Sequence, residues 1–239
     1  MKDRIPIFFD FGGTLVDTIE MTKYIFREAL GKDFTTDQII KMYKDASKKR
    51  MSMYMFFKYP VNPVKLLLKQ KKMRNMQKES FLKTSELFPG AKETLLKIKE
   101  IENVFLVLVT QNPLMEDEES RDKILTKLFG SENPFDLILA GEDKLNLITS
   151  HFDSETILDG VIVGDLPNDV YVADILKIPC YGVTWGYSDE VELDTPFIVD
   201  EFSELLGMVK EHLVDLAEGK TDEELEEIEF EEIEFDEEI

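Results

Sequence analysis

The 239-residue chain has one cysteine (Cys180), two histidines (His151 and His212) and one tryptophan. A single thiol excludes a disulfide framework, and with two scattered imidazoles it cannot assemble the four ligands of a Cys/His zinc site. Any metal held by this chain must therefore be bound through oxygen. Long apolar runs are also missing: Val104 to Val109 and Val161 to Val163 fall far short of the roughly 20 residues that cross a bilayer. The first residues, Met1-Lys2-Asp3-Arg4, lead into Ile5 to Phe9 and then Asp10, too short an apolar stretch for a signal-peptide core and without a small-residue cleavage site. A cytoplasmic protein with no membrane partner is the expectation. Positive charge is scarce, with 28 Lys and Arg against 50 Asp and Glu and a net charge of −22, which weighs against a nucleic-acid or anionic-membrane partner. What the chain does have, 43% hydrophobic and 33% charged residues, suits a folded globular protein rather than a disordered one.

The charge is unevenly spread. Residues 18–85 hold 16 Lys and Arg against 6 Asp and Glu, a local +10, and seven of the ten methionines, so the rest of the chain carries −32. Residues 218–239 contain 13 acids and one lysine. These shifts divide the chain into a core at 1–17 and 86–217, an inserted segment at 18–85 and an acidic tail at 218–239.

Within the core, short apolar runs alternate with helical patterns. Ile5 to Phe9, Val104 to Val109, Leu137 to Leu139, Val161 to Val163, Tyr181 to Thr184 and Phe197 to Val199 read as strands. Ala91 to Glu100, Asp122 to Phe129 and Asp169 to Leu176 read as helices between them. The alternation predicts an α/β fold with a doubly wound, mostly parallel sheet, whose ligands bind beyond the carboxyl ends of the strands. In the insert the periodicity is helical, starting around Ile19, Ile25 and Leu30 and again from Thr36-Asp37, with a turn at Lys58-Tyr59-Pro60-Val61-Asn62-Pro63.

Four groups of chemistry-bearing residues follow strands. Asp10-Phe11-Gly12-Gly13-Thr14-Leu15-Val16-Asp17 sets a carboxylate at a strand end and follows it with glycines whose backbone N–H groups can approach an anion. Thr110-Gln111-Asn112 offers a hydroxyl and two amides suited to phosphate oxygens. Lys144, at a helix start, is a point cation. Gly164-Asp165-Leu166-Pro167-Asn168-Asp169 adds two carboxylates four residues apart, and with Asp10 they make a hard oxygen site of the kind Mg2+ prefers. Taken singly, each has an ordinary structural explanation, such as a cap or a solvated lysine. Four in this order, each after a strand, point to one site.

These motifs resemble those of the haloacid-dehalogenase-like (HAD) superfamily, in the branch with a helical cap inserted after the first motif. The likeness extends to Leu87-Phe88-Pro89-Gly90-Ala91 and to Gly182-Val183-Thr184-Trp185-Gly186-Tyr187. The resemblance implies a Rossmann-like core and a Mg2+-dependent phosphatase that acts on a small phosphorylated metabolite through an aspartyl-phosphate on Asp10. It further implies metal ligation by Asp10, the Gly12 carbonyl, Asp165 and Asp169. Phosphoryl oxygens would be held by Thr110 and Lys144, with Phe11, Gly12, Gly13, Gln111 and Asn112 lining the substrate. One residue departs from the family pattern: Gly12 stands where phosphatases of the family carry a second Asp as acid and base. Loss of such a group typically costs about 10^2 to 10^4 in rate. A phosphonatase-type hydrolase and a catalytically weak phosphate-ligand-binding protein are the alternatives that this leaves open. A dehalogenase ranks lower, because the Asp165/Asp169 pair argues for a metal.

Two features outside the motifs carry expectations. Lys48, Lys49, Arg50, Lys69, Lys71, Lys72 and Arg74 make the insert basic, and Ile228, Phe230, Ile233 and Phe235 punctuate the acidic tail with apolar residues. Such a self-repelling, low-complexity tail reads first as a disordered solubilising segment; the sharper alternative is that it docks on the basic insert of its own or a neighbouring subunit. Under docking, deleting residues 218–239 should alter activity or its salt dependence; unchanged activity at every salt concentration would refute it.

Overall fold

The computed structural model describes residues 4–48 and 63–219. Its centre is a six-stranded sheet of β1 (Ile5–Phe9), β2 (Val104–Thr110), β3 (Leu137–Ala140), β4 (Val161–Gly164), β5 (Cys180–Val183) and β6 (Phe197–Val199). The strands are parallel and lie in the order β3-β2-β1-β4-β5-β6. The chain thus builds outward from β1 on one side, then returns to β1's other edge to lay down β4. That reversal opens a crevice at the carboxyl ends of β1 and β4, where ligands of such sheets bind.

The apolar character of β1 follows from burial on both faces. Ile7 and Phe9 enter one core with Leu106, Leu108, Val161 and Val163, while Phe8 enters the other with Val107, Val109 and Ile162. The first core is closed by Leu95 and Ile98 of α4 (Ala91–Lys99), Ile124 and Phe129 of α5 (Glu118–Phe129), and Leu205 and Val209 of α10 (Phe202–Ala217). The second is closed by Ile148 of α6 (Lys144–His151), Ile157 of α7 (Ser154–Leu158), and Val172 and Ala173 of α8 (Pro167–Leu176). A short helix, α9 (Glu190–Leu193), precedes β6. Strands covered by helices on both sides lose the alternation that marks a half-exposed strand. Cys180 and His212 are buried, and the His212 ring is held against the Asp159 carbonyl at 2.9 Å.

Two helices begin earlier than the apolar periodicity predicts. α5 starts at Glu118, where the Asp117 carboxylate accepts the Ser120 N–H at 2.9 Å. α8 starts at Pro167, where the Asp169 carboxylate accepts the Leu166 N–H at 3.1 Å. First turns are built from caps and polar residues, so a period read from apolar residues begins late, by four residues in α5 and two in α8.

Between β1 and α4 the described residues form α1 (Ile19–Leu30), α2 (Thr36–Lys48) and α3 (Pro63–Thr84). α1 and α2 share a core of Ile19, Phe26, Ala29, Leu30, Phe34, Ile39 and Met42. The segment leaves the core at Val16 and returns to it at Leu87, and these two residues form an isolated antiparallel bridge outside the sheet. Phe81 of α3 stacks on Phe11 at 5.7 Å between ring centroids, so the last helix before the return packs on the residue next to Asp10. Most of the expected Lys58 to Pro63 turn, Lys49, Arg50, Met51, Met53, Met55, Phe56 and Phe57, and tail residues 220–239, lie outside the described residues. Among the described residues no helix is long and apolar enough to cross a membrane.

Phe81 is fully buried, so Phe81→Ala should destabilise the protein by about 3–5 kcal/mol. A shift in the urea midpoint measures this; a loss below about 1 kcal/mol would mean that α3 is not anchored through this ring.

Candidate active site

Asp10 directly follows β1, Thr110 ends β2, Lys144 opens α6, and Asp165 and Asp169 flank the start of α8 just after β4. All five are buried, and Asp165 and Asp169 almost completely so. Four of them meet. Lys144 Nζ donates to Asp10 Oδ1 at 2.6 Å and to Asp169 Oδ1 at 2.5 Å. Asp10, Asp165 and Asp169 each offer a carboxylate oxygen, and these oxygens lie within 4.8 Å of one another.

Asp165 is held on both oxygens: Thr14 Oγ1 donates to Oδ1 at 2.8 Å and the Tyr187 N–H to Oδ2 at 3.0 Å. It is also enclosed by two glycines. Gly13 has φ +94°, and a Cβ there would lie 2.1 Å from Asp165 Oδ2; a Cβ on Gly186 would lie 2.3 Å from Asp165 Cβ. Side chains at either position would displace the carboxylate. Gly12 differs, since a Cβ there meets only Thr18, at 3.9 Å. It is not a packing requirement.

The loop after β2 is fastened by its own polar groups. Thr110 Oγ1 accepts the Asn112 N–H at 3.1 Å, Asn112 Oδ1 accepts the Leu114 N–H at 3.0 Å, and the Gln111 amide donates to the Glu142 carbonyl. Thr110 is thereby presented at the carboxyl end of the strand next to β1, while both amides are engaged with backbone. Phe11 is fully buried, and its carbonyl accepts the N–H groups of Leu15 and Val16, closing the glycine turn.

Electrostatics at this centre are unbalanced. Desolvation raises the Asp10 carboxyl to about 6 despite the opposing Lys144 charge, with Asp169 adding to the rise. Desolvation, then Asp10 and Asp169, push Asp165 well above the ordinary carboxylate range against the donors Thr14 and Tyr187. Burial works to lower Lys144, but the two carboxylates it touches outweigh this and hold it firmly protonated. One ammonium therefore serves three buried carboxylates. A divalent cation among their oxygens would relieve the remainder, and an all-oxygen donor set suits a hard ion.

A family model described as haloacid dehalogenase-like hydrolase matches residues 7–183. The chain belongs to this family. Phosphoglycolate phosphatase of Haemophilus influenzae is 27% identical over 146 residues, covering 55% of this chain and 61% of that protein. The enzyme of the same name from Photorhabdus laumondii is 30% identical over 139 residues, covering 52% and 56%. The chain thus spans about three-fifths of the length of these curated relatives. Among solved structures, a haloacid dehalogenase-like family hydrolase from Streptococcus pneumoniae superposes with a TM-score of 0.67 at 17% identity, over 87% of this chain and all of that one. At that identity the likeness is one of fold, and it agrees with the doubly wound α/β sheet.

The roles of Thr14 and Tyr187 were not visible in sequence. Thr14 lies inside the first motif, where a hydroxyl four residues after the carboxylate was the available signal. Tyr187 contributes a backbone N–H, which no residue type announces.

Metal binding should follow the ionisation of Asp10. With its folded value raised from 3.8 to about 6, Asp10 holds a proton in the folded state that the unfolded chain has already released. Its contribution to stability is favourable at low pH and is lost as pH rises through about 6, where the buried carboxylate ionises. Mg2+ should restore stability in that ionised range. The rise in melting temperature on adding Mg2+ should be large at pH 7.5, shrink as pH falls through about 6, and vanish in Asp165→Asn. An increment independent of pH and of Asp165 would place the ion elsewhere.

Proposed function

We propose that the protein is a Mg2+-dependent phosphoric monoester hydrolase acting on a small phosphorylated metabolite through an aspartyl-phosphate on Asp10. The observation that carries this reading is the convergence of Asp10, Asp165, Asp169 and Lys144 at the β1/β4 crevice of a haloacid dehalogenase-like chain. The similarity to two phosphoglycolate phosphatases supports it and puts small phosphorylated acids first among candidate substrates. Mg2+ would be held by Asp10, Asp165, Asp169 and the Gly12 carbonyl, where it would screen the carboxylates and polarise phosphoryl oxygens.

In this reading an Asp10 oxygen attacks phosphorus, forms the acyl-phosphate bond, and the bond to the substrate oxygen breaks. Lys144 orients Asp10 and supplies positive charge to the transferring phosphoryl group, with the Thr110 hydroxyl and the Phe11 and Gly12 N–H groups as further donors, while the Gly13 N–H is engaged by the Val16 carbonyl at 2.9 Å. Water then cleaves the acyl-phosphate and regenerates Asp10. Asp169 holds Lys144 from the other side, so the ammonium stays in place when Asp10 becomes esterified. We read residues 18–85 as a cap over this centre and 1–17 with 86–217 as the core that carries it. Gln111 and Asn112 shape the loop beneath the phosphoryl group. Gly12 favours a second reading, a slow enzyme or a binder of phosphorylated ligands, since it brings no acid to the leaving group.

Phosphate release from para-nitrophenyl phosphate, with and without Mg2+, tests the assignment. Turnover should require Mg2+ and fall by at least about 10^3 in Asp10→Asn, as expected for loss of a nucleophile. Mg2+ binding without turnover would favour the ligand-binding reading. Because a Cβ fits at position 12, Gly12→Asp should raise hydrolysis of alkyl phosphates more than that of aryl phosphates, whose leaving groups need little protonation. Equal effects on both would remove the missing acid from the explanation.

A further inference from the structure

The space above Gly12 is bordered by the Thr18 side chain, whose hydroxyl belongs to a cluster. A Cβ at Gly12 would lie 3.9 Å from both Thr18 Oγ1 and Thr18 Cγ2. Thr18 is buried just before α1, and its Oγ1 lies 2.9 Å from Tyr187 Oη and 3.1 Å from Tyr43 Oη. Tyr187 Oη also accepts the Thr18 N–H at 2.9 Å, and Tyr43 Oη lies 2.5 Å from Thr22 Oγ1. The two rings pack at 5.1 Å between centroids. Tyr187 ties this cluster to the carboxylates, since its own N–H binds Asp165.

Either oxygen of each hydroxyl pair can donate, and Tyr43 Oη also lies 3.4 Å from the Thr18 carbonyl; one assignment leaves a proton free. Tyr187 and Tyr43 both donate to Thr18 Oγ1, filling its two lone pairs, while the Thr22 hydroxyl donates to Tyr43. The Thr18 proton is then left over and can point into the space that a side chain at position 12 would fill. Thr18 and Tyr43 come from the inserted segment and Tyr187 from the core, so the cluster exists only where the two meet.

We infer that Thr18, with Tyr43 behind it, is a catalytic proton donor to the leaving oxygen of the substrate, doing the work for which Gly12 has no side chain. The inference rests on the phosphatase reading above. As the bond from phosphorus to the leaving oxygen breaks, its electron pair stays on that oxygen, which takes the Thr18 hydroxyl proton. Thr18 takes the Tyr43 proton in turn. The water that attacks the aspartyl-phosphate gives up a proton, which returns along the same chain to Tyr43, so one ester and one water become one alcohol and one phosphate. A phenol is a stronger acid than an alkyl alcohol, so this transfer runs downhill for alkyl phosphates. Burial raises Tyr43 above its ordinary value, which narrows this advantage, so the proton must pass as the leaving oxygen gains charge and not before.

The test compares para-nitrophenyl phosphate with phosphoglycolate, an alkyl phosphate, in Mg2+-loaded full-length protein. Tyr43→Phe keeps the ring against Tyr187 and removes only the hydroxyl. It should lower kcat/KM for phosphoglycolate by about 10-fold or more and for the aryl ester by less than about 2-fold. Thr18→Val should do the same and Thr18→Ser should retain activity. Adding Gly12→Asp to Tyr43→Phe should restore alkyl turnover, which a merely structural role for Tyr43 would not allow. Equal losses on both substrates, no loss, or no rescue would overturn the inference. Aryl turnover that depends on Asp10 with no alkyl turnover in the wild type would overturn it and leave the phosphatase reading standing. Absence of any turnover that depends on Asp10 would overturn both.

Discussion

Lys144 sits between Asp10 and Asp169, and much of the candidate site depends on that single buried ammonium. Three carboxylates without it would have to protonate or open to water, because isolated charges are costly to bury. With it, two are paired directly, and Asp165 is left to Thr14 and the Tyr187 N–H. The resulting shortage of positive charge is the physical reason the site suits a divalent cation. The same shortage keeps Asp10 near its ionisation threshold rather than locked in either state.

The sheet makes this arrangement possible. Asp10 and Asp165 leave adjacent parallel strands at the same end, and the reversal of strand order between β1 and β4 leaves room beside them. Helices supply the rest: α6 brings Lys144 and α8 brings Asp169, each within the first turn. Side chains from four elements meet because the backbone of each is fixed by its own core contacts. The polar cluster is thus carried by two apolar cores that do not include it.

Most of this scaffold was legible in the sequence, because a strand buried on both faces is a short apolar run and a helix between strands is amphipathic. The runs at Ile5 to Phe9 and Val104 to Val109 show this, each matching its strand to within one residue. The early starts of α5 and α8 were not legible, since capping residues carry no periodicity. The four motif positions were readable as residue types in order. Their geometry was not: Lys144 and Asp10 are 134 positions apart, and no local pattern says that the lysine pairs with carboxylates as well as facing a phosphate. Tyr43 and Tyr187 are a sharper case. Both are aromatic residues in apolar surroundings, and only the fold brings their hydroxyls together on Thr18.

The bridge between Val16 and Leu87, outside the sheet, places the exit and re-entry of residues 17–86 side by side. A segment with adjacent ends is closed by its host whatever its length, and the entropy of closing it grows only logarithmically with residue number. Changes of length inside the segment that keep its packing on the core, such as Phe81 against Phe11, therefore add little closure cost and need no change in strand register.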